Sequence, residues 1–107
     1  MARRDRKDRE WAKRIADRPD LRIQFLRSSD APVEYFIALQ AFRRGEWRNL
    51  IHFDNSHGPL EHHEHRYGPD KLSPTVRYGP INEAMAGVIA RIEAEWPDIL
   101  DDWEQSQ

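Results

Sequence analysis

Cysteine is absent from all 107 residues, which removes three options at once: a disulfide framework, a thiolate metal site and a cysteine nucleophile. Long apolar runs are absent too. Mean hydropathy is -0.92, the N-terminus is strongly polar, and nothing reads as a signal peptide or a membrane span. A cytoplasmic protein with no membrane partner is the expectation. What is present is 38% hydrophobic and 34% charged residues, polar for a globular chain but too aromatic for a disordered one. A chain of this length forms one small domain that buries roughly two-thirds of its unfolded surface.

The net charge of -2 hides an uneven distribution. Residues 1–18 carry eight Lys or Arg against four acids, and residues 83–107 carry one Arg against seven acids. A basic arm can reach toward phosphates. Its interleaved charges, as with Arg6 and Glu10 at i,i+4 spacing, also suit an ordinary solvated helix.

That helix is predicted from about Arg4 to Ala16, anchored by Trp11 and Ile15 and ended by Asp17, Arg18, Pro19 and Asp20. Leu21, Ile23 and Phe25 alternate with polar residues as a half-buried strand does. A second strand follows the turn at Ser28–Pro32. Val33, Tyr35, Ile37, Leu39 and Ala41 lie on one side of it, with Phe36, Ala38, Gln40 and Phe42 on the other. After a short connection at Arg43–Glu46, a third strand opens at Trp47. Unbroken alternation puts Trp47, Asn49, Ile51 and Phe53 on one face and Arg48, Leu50, His52 and Asp54 on the other. Leu60 to Arg66 reads as a fourth strand, with Glu61, His63 and His65 opposite His62 and Glu64. From Tyr67 to Pro80 the composition is that of a loop, bracketed by two Arg-Tyr-Gly-Pro turns at Arg66–Pro69 and Arg77–Pro80.

The C-terminal part is the clearest helix. Asn82 is its expected N-cap, and Met85, Ile89, Ile92, Trp96, Ile99 and Trp103 form one apolar stripe. Pro97 interrupts that stripe, so a kink or break is expected near Glu95. The stripe packs on the sheet, while Ile99, Leu100 and Trp103 among their acids leave a homodimer or protein contact open. The predicted architecture is α+β: a meander of three or four antiparallel strands with the C-terminal helix on one face. Residues 1–20 form a basic helical arm peripheral to a single compact domain at 21–107.

All five histidines fall between His52 and His65, and imidazole can exchange a proton or bind a metal near neutral pH. Two chemistries compete with a plain exposed turn. As an acid-base site on RNA, His63 and His65 would transfer protons, with His52 and Asp54 orienting them and no metal required. Arg48, Arg66 and Arg77 could meet phosphate, and Tyr67 could stack on a base. As a metal site, His63, His65, Asp54 and His52 could hold zinc or another transition ion, in a non-enzymatic module that binds a metal or a partner.

Phe53, Asp54 and Asn55 at a strand end, followed by His62, His63, Glu64 and His65, resemble the small TumE-like toxins of bacterial toxin–antitoxin modules. The similarity covers about Tyr35 to Trp103. It implies a growth-inhibiting toxin, a ribonuclease on a compact sheet with a C-terminal helix, neutralised by a cognate antitoxin protein. It places function on Asp54, His62, His63 and His65.

Overall fold

The computed structural model describes residues 8–56, 58, 60–67 and 75–106, with the backbone alone at 75–77. Among the described residues, six strands run in chain order: β1 (Arg9–Ile15), β2 (Arg18–Arg27), β3 (Tyr35–Arg43), β4 (Glu46–Asp54), β5 (Glu61–Arg66) and β6 (Thr75–Tyr78). One helix, α1 (Ile81–Gln105), follows them. Each strand is antiparallel to its predecessor, so the sheet order equals the chain order. The α+β meander with a C-terminal helix on one face is as expected, but it has six strands rather than three or four.

The additional strands come from the two ends of the sheet. The segment expected as an N-terminal helix is β1, paired along its length with β2; the part of that prediction before Asp8 lies outside the described residues. Charge spacing in this segment suits a helix, yet Trp11, Lys13 and Ile15 also alternate. Sheet pairing decides between the two. Trp11 stacks on Phe25 with ring centroids 4.9 Å apart, Lys13 forms an ion pair with Glu93 on α1, and Ile15 is buried. At the other edge, β6 arises inside the segment expected as a loop. The rest of that loop, 68–74, lies outside the described residues.

Between β3 and β4 the chain reverses through Arg44 and Gly45, both with positive φ (53° and 82°). This backbone matches the twist of a tight hairpin and suits glycine at the second position. The register then slips. Leu39 pairs with Ile51 but Gln40 pairs with Asn49, which makes Leu50 an extra residue. The bulge corrects the predicted alternation of β4. Trp47 and Asn49 join His52 and Asp54 on one face, while Arg48 joins Ile51 and Phe53 on the other.

The second of these faces is covered by α1. Ile92, Ile99, Leu100 and Trp103 pack with Leu21, Ile23, Phe25, Tyr35, Ile37, Leu39, Ile51 and Phe53, and Met85, Ile89 and Trp96 add partial cover. Ile99, Leu100 and Trp103 therefore belong to the core. The helix continues through Pro97 without a break, because the stripe on both sides of it is held against one sheet. It begins after Pro80, whose extended backbone occupies the N-cap with no side-chain cap; Asn82 lies inside the first turn. Among the described residues, no helix is long and apolar enough to cross a membrane.

Candidate functional site

Strand alternation sorts the histidines of β5. His62 and Glu64 lie on the helix side, and His63 and His65 lie on the side that α1 leaves uncovered. Register sets the neighbours: His52 pairs with His65, and Asp54 pairs with His63. Four of the residues predicted from sequence, His52, Asp54, His63 and His65, thus share the uncovered face, on two adjacent strands.

On that face the rings form a row. Phe36 stacks on His52 at 4.7 Å, His52 on His65 at 4.5 Å, and His65 lies 6.1 Å from His63 with the planes only 11° apart. A carboxylate stands at each end. His52 Nε2 donates to Asp54 Oδ2 at 2.9 Å, and His63 Nε2 donates to Glu61 Oε2 at 2.6 Å. His65 Nε2 lies 3.8 Å from the same Asp54 oxygen. With its proton on Nε2, His52 accepts the Tyr67 hydroxyl at Nδ1, 2.5 Å away. Tyr67 therefore acts through His52. The orienting role expected of Asp54 reaches His52 and approaches His65, while His63 is oriented by Glu61.

Asp54 is nearly buried. Burial opposes its charge. The bond from His52 and the two bonds from Ser56 (N–H at 3.2 Å and Oγ at 2.9 Å, both to Oδ1) outweigh it, and they hold the carboxyl well below the usual carboxylate range. Because Ser56 engages Oδ1, Oδ2 is turned toward the histidines. Oδ2 and one nitrogen each of His52 and His65 all lie within 4.8 Å of one another. Among the described residues, this is the group able to hold a metal ion; the fourth member of the predicted set, His63, stands outside it.

The remaining predicted residues are elsewhere. The Leu50 bulge turns Arg48 to the helix side, where it pairs with Glu46 at 3.2 Å and lines a hollow of about 260 Å³ with Arg43, Arg44, Trp103 and Glu104. Arg66 pairs in register with Ile51 and bonds Glu64 at 3.2 Å, also on the helix side. Arg77 occupies the β6 position opposite His62; its side chain lies outside the described residues, as does His57. Of the three arginines expected at the phosphate, Arg48 and Arg66 are thus not beside the histidine row.

His62, placed in the functional set by the resemblance, is a core residue. It is buried, and both nitrogens are engaged: Nε2 donates to the Gly79 carbonyl at 2.7 Å, and Nδ1 faces the Tyr35 hydroxyl at 2.8 Å. Burial and then the charge of Asp54 push the Tyr35 hydroxyl up to about 12, so it remains the donor. Asn55 has a similar role. Its Oδ1 accepts from the Tyr35 N–H and its Nδ2 donates to the Val33 carbonyl, both at 2.9 Å, which ties the end of β4 to the start of β3. In the Phe53-Asp54-Asn55 step, only Asp54 faces the row.

Three contributors escaped the sequence reading. Phe36 joins the row only through the pairing of β3 with β4, and alternation puts Glu61 on the correct face without indicating its role. Ser56 two residues after Asp54 was a legible turn signal, since Asp accepts a bond from the backbone N–H two positions on.

A separate cavity of about 340 Å³ lies between β5 and the first half of α1, lined in part by Phe53, His62, Glu64, Val88 and Arg91. Its charged groups engage each other: Arg91 bonds Glu64 through two nitrogens and lies over the Phe53 ring. The uncovered face is therefore the stronger candidate.

No curated protein and no solved structure matches this chain. A family model described as a domain of unknown function (DUF7718) matches residues 4–107, nearly the full length, and the chain belongs to that family.

Proposed function

We propose that the chain is an RNA-cleaving toxin of a toxin–antitoxin pair and that the uncovered sheet face around His52, His63 and His65 is its working site. The observation that carries this reading is the row of three imidazoles with a carboxylate at each end. Cleavage of RNA by its own 2′-hydroxyl needs one group to accept that proton and another to protonate the departing 5′-oxygen. His63, held by Glu61, is the donor. The His52–Asp54–His65 end takes the proton. Phe36, stacked on the row, offers an aromatic surface beside an exposed base. A cognate antitoxin would silence the protein by covering this face.

The test is incubation of a mixed single-stranded RNA with purified protein, beside a His63→Ala/His65→Ala double variant that unfolds at the wild-type temperature. Cleavage by the wild type, reduced at least about 100-fold in the variant, is the expected result for loss of proton-transfer groups. Intact RNA after prolonged incubation with folded wild-type protein would defeat the reading.

A further inference from the structure

Negative charge that develops on a cleaved phosphodiester must meet something positive, and Arg48 and Arg66 face the other side of the sheet. At the His52 end of the row the ligand atoms converge. We propose that His52, Asp54 and His65 bind one first-row divalent transition metal ion, zinc foremost, through two imidazole nitrogens and one carboxylate oxygen. The ion's use on RNA rests on the function proposed above; its binding does not.

Four observations support the site. The first is spacing. Two ligands about 2.0–2.1 Å from a tetrahedral ion are about 3.4 Å apart, and the contacts of His52 and His65 to Asp54 Oδ2, 2.9 and 3.8 Å, lie on either side of that value. The second is rigidity, because all three residues sit inside paired strands, with His52 directly opposite His65. The third is outer support. Ser56 fixes Asp54 Oδ1 and leaves Oδ2 for the ion, and Tyr67 stands at His52 Nδ1. When Nε2 ligates, the His52 proton resides on Nδ1 and donates to the Tyr67 oxygen, so the hydroxyl turns from donor to acceptor. An acceptor at the second ring nitrogen usually accompanies a ligating imidazole, and here the Tyr67 oxygen supplies it. The fourth is access. His52 and Asp54 are 13% and 11% exposed and His65 is 31% exposed, so the site opens on the His65 side.

Three protein ligands leave a position for water, the arrangement of catalytic rather than structural zinc. A bound ion brings water toward ionisation near neutral pH and draws charge from a phosphate oxygen. It would thereby take both the proton-accepting role and the role expected of Arg48 and Arg66, with His63 as the neighbouring proton donor. This departs from the metal-free pairing of His63 and His65 that the sequence suggested.

The experiment is titration of untagged protein, stripped with EDTA and dialysed, with Zn²⁺ by calorimetry and with Co²⁺ by visible absorption. One ion per chain is expected. His65→Ala, on the most exposed ligand, should weaken binding more than about 100-fold, beyond the 10–100-fold cost of losing an outer partner. His63→Ala should leave affinity within about threefold although it removes cleavage. Substoichiometric binding, or binding unchanged in a folded His65→Ala protein, would overturn the site. The two proposals separate cleanly: an ion bound by a protein that leaves RNA intact keeps the metal site and rejects the RNA reading. Undiminished cleavage in EDTA by a chain that binds no ion does the reverse.

Discussion

His62 and His65 lie three residues apart on one strand and differ in nearly everything that decides a histidine's use. His62 is 7% exposed on the helix side, with both nitrogens committed to Tyr35 and Gly79. His65 is on the uncovered side, stacked on His52 and near a charged carboxylate. A strand turns successive side chains to opposite faces. A histidine-rich strand is therefore divided by its pleat into a structural half and a chemical half. In β5 the structural half is His62 with Glu64, and the chemical half is His63 with His65.

The strongest test of this division is to exchange the damage. His62→Ala leaves a buried Tyr35 hydroxyl and the Gly79 carbonyl without their partner and opens a space in the core. A loss of roughly 3–5 kcal/mol is expected from two unsatisfied groups plus the cavity. His65→Ala should lose less than about 1 kcal/mol, as befits a part-exposed side chain. Chemical denaturation of both variants checks the pair; equal losses would dissolve the distinction between the faces.

Asn55→Ala extends the comparison into the Phe53-Asp54-Asn55 step. It deprives the Tyr35 N–H and the Val33 carbonyl of their bonds, with an expected loss of roughly 2–4 kcal/mol. Metal affinity should follow only as far as the fold does, because Asp54 takes its support from Ser56.

Much of the division between faces could be read from the sequence, since it follows from period-two alternation alone. The buried faces of β2 and β3 and the opposition of His62 to His63 are of this kind, and the stripe on α1 follows as directly from its helical spacings of four and three. What could not be read lay where two local signals conflicted or where one residue shifted the count. In β1 the i,i+4 charges fit a helix as well as Trp11, Lys13 and Ile15 fit a strand, and only pairing with β2 decides. Leu50 is invisible as a bulge because each residue near it fits a strand; a single extra position moved Arg48 away from the site and brought Trp47 and Asn49 onto its face. In β6, four strand residues sit within a Gly- and Pro-rich stretch whose composition reads as turn. Among the histidines, the roles followed from partners far along the chain, as Tyr35 and Gly79 are for His62.

Acid sharpens the comparison on the helix side. Burial of Glu64 works against its charge, but Arg91 and then Arg66 outweigh it and hold the carboxyl below its ordinary value of 4.5. A folded-state value below the unfolded one means that the contribution is complete above about pH 4.5 and is lost as pH falls through the lower folded value. Glu64→Gln should cost about 1 kcal/mol at neutral pH, the scale of a part-screened ion pair. It should also flatten the decline in stability below pH 4.5. A pH series of urea melts that declines equally steeply in both proteins would place the acid sensitivity elsewhere.

The smallest expected change in stability is on the uncovered face, and it carries the most chemical information. Tyr67→Phe removes one hydroxyl and preserves the ring, so stability should fall by less than about 1 kcal/mol. The hydroxyl's value lies in fixing the His52 ring so that its Nε2 faces Asp54 Oδ2. Without it the ring is less fixed and ion affinity should weaken about tenfold, the lower end for an outer partner. A residue that merely packed would change neither the affinity nor its pH dependence. If Tyr67→Phe binds Zn²⁺ as the wild type does while His65→Ala does not, His52 is held by the Phe36 stack and by Asp54 alone. The row would then be supported from the sheet, without help from the segment that follows β5.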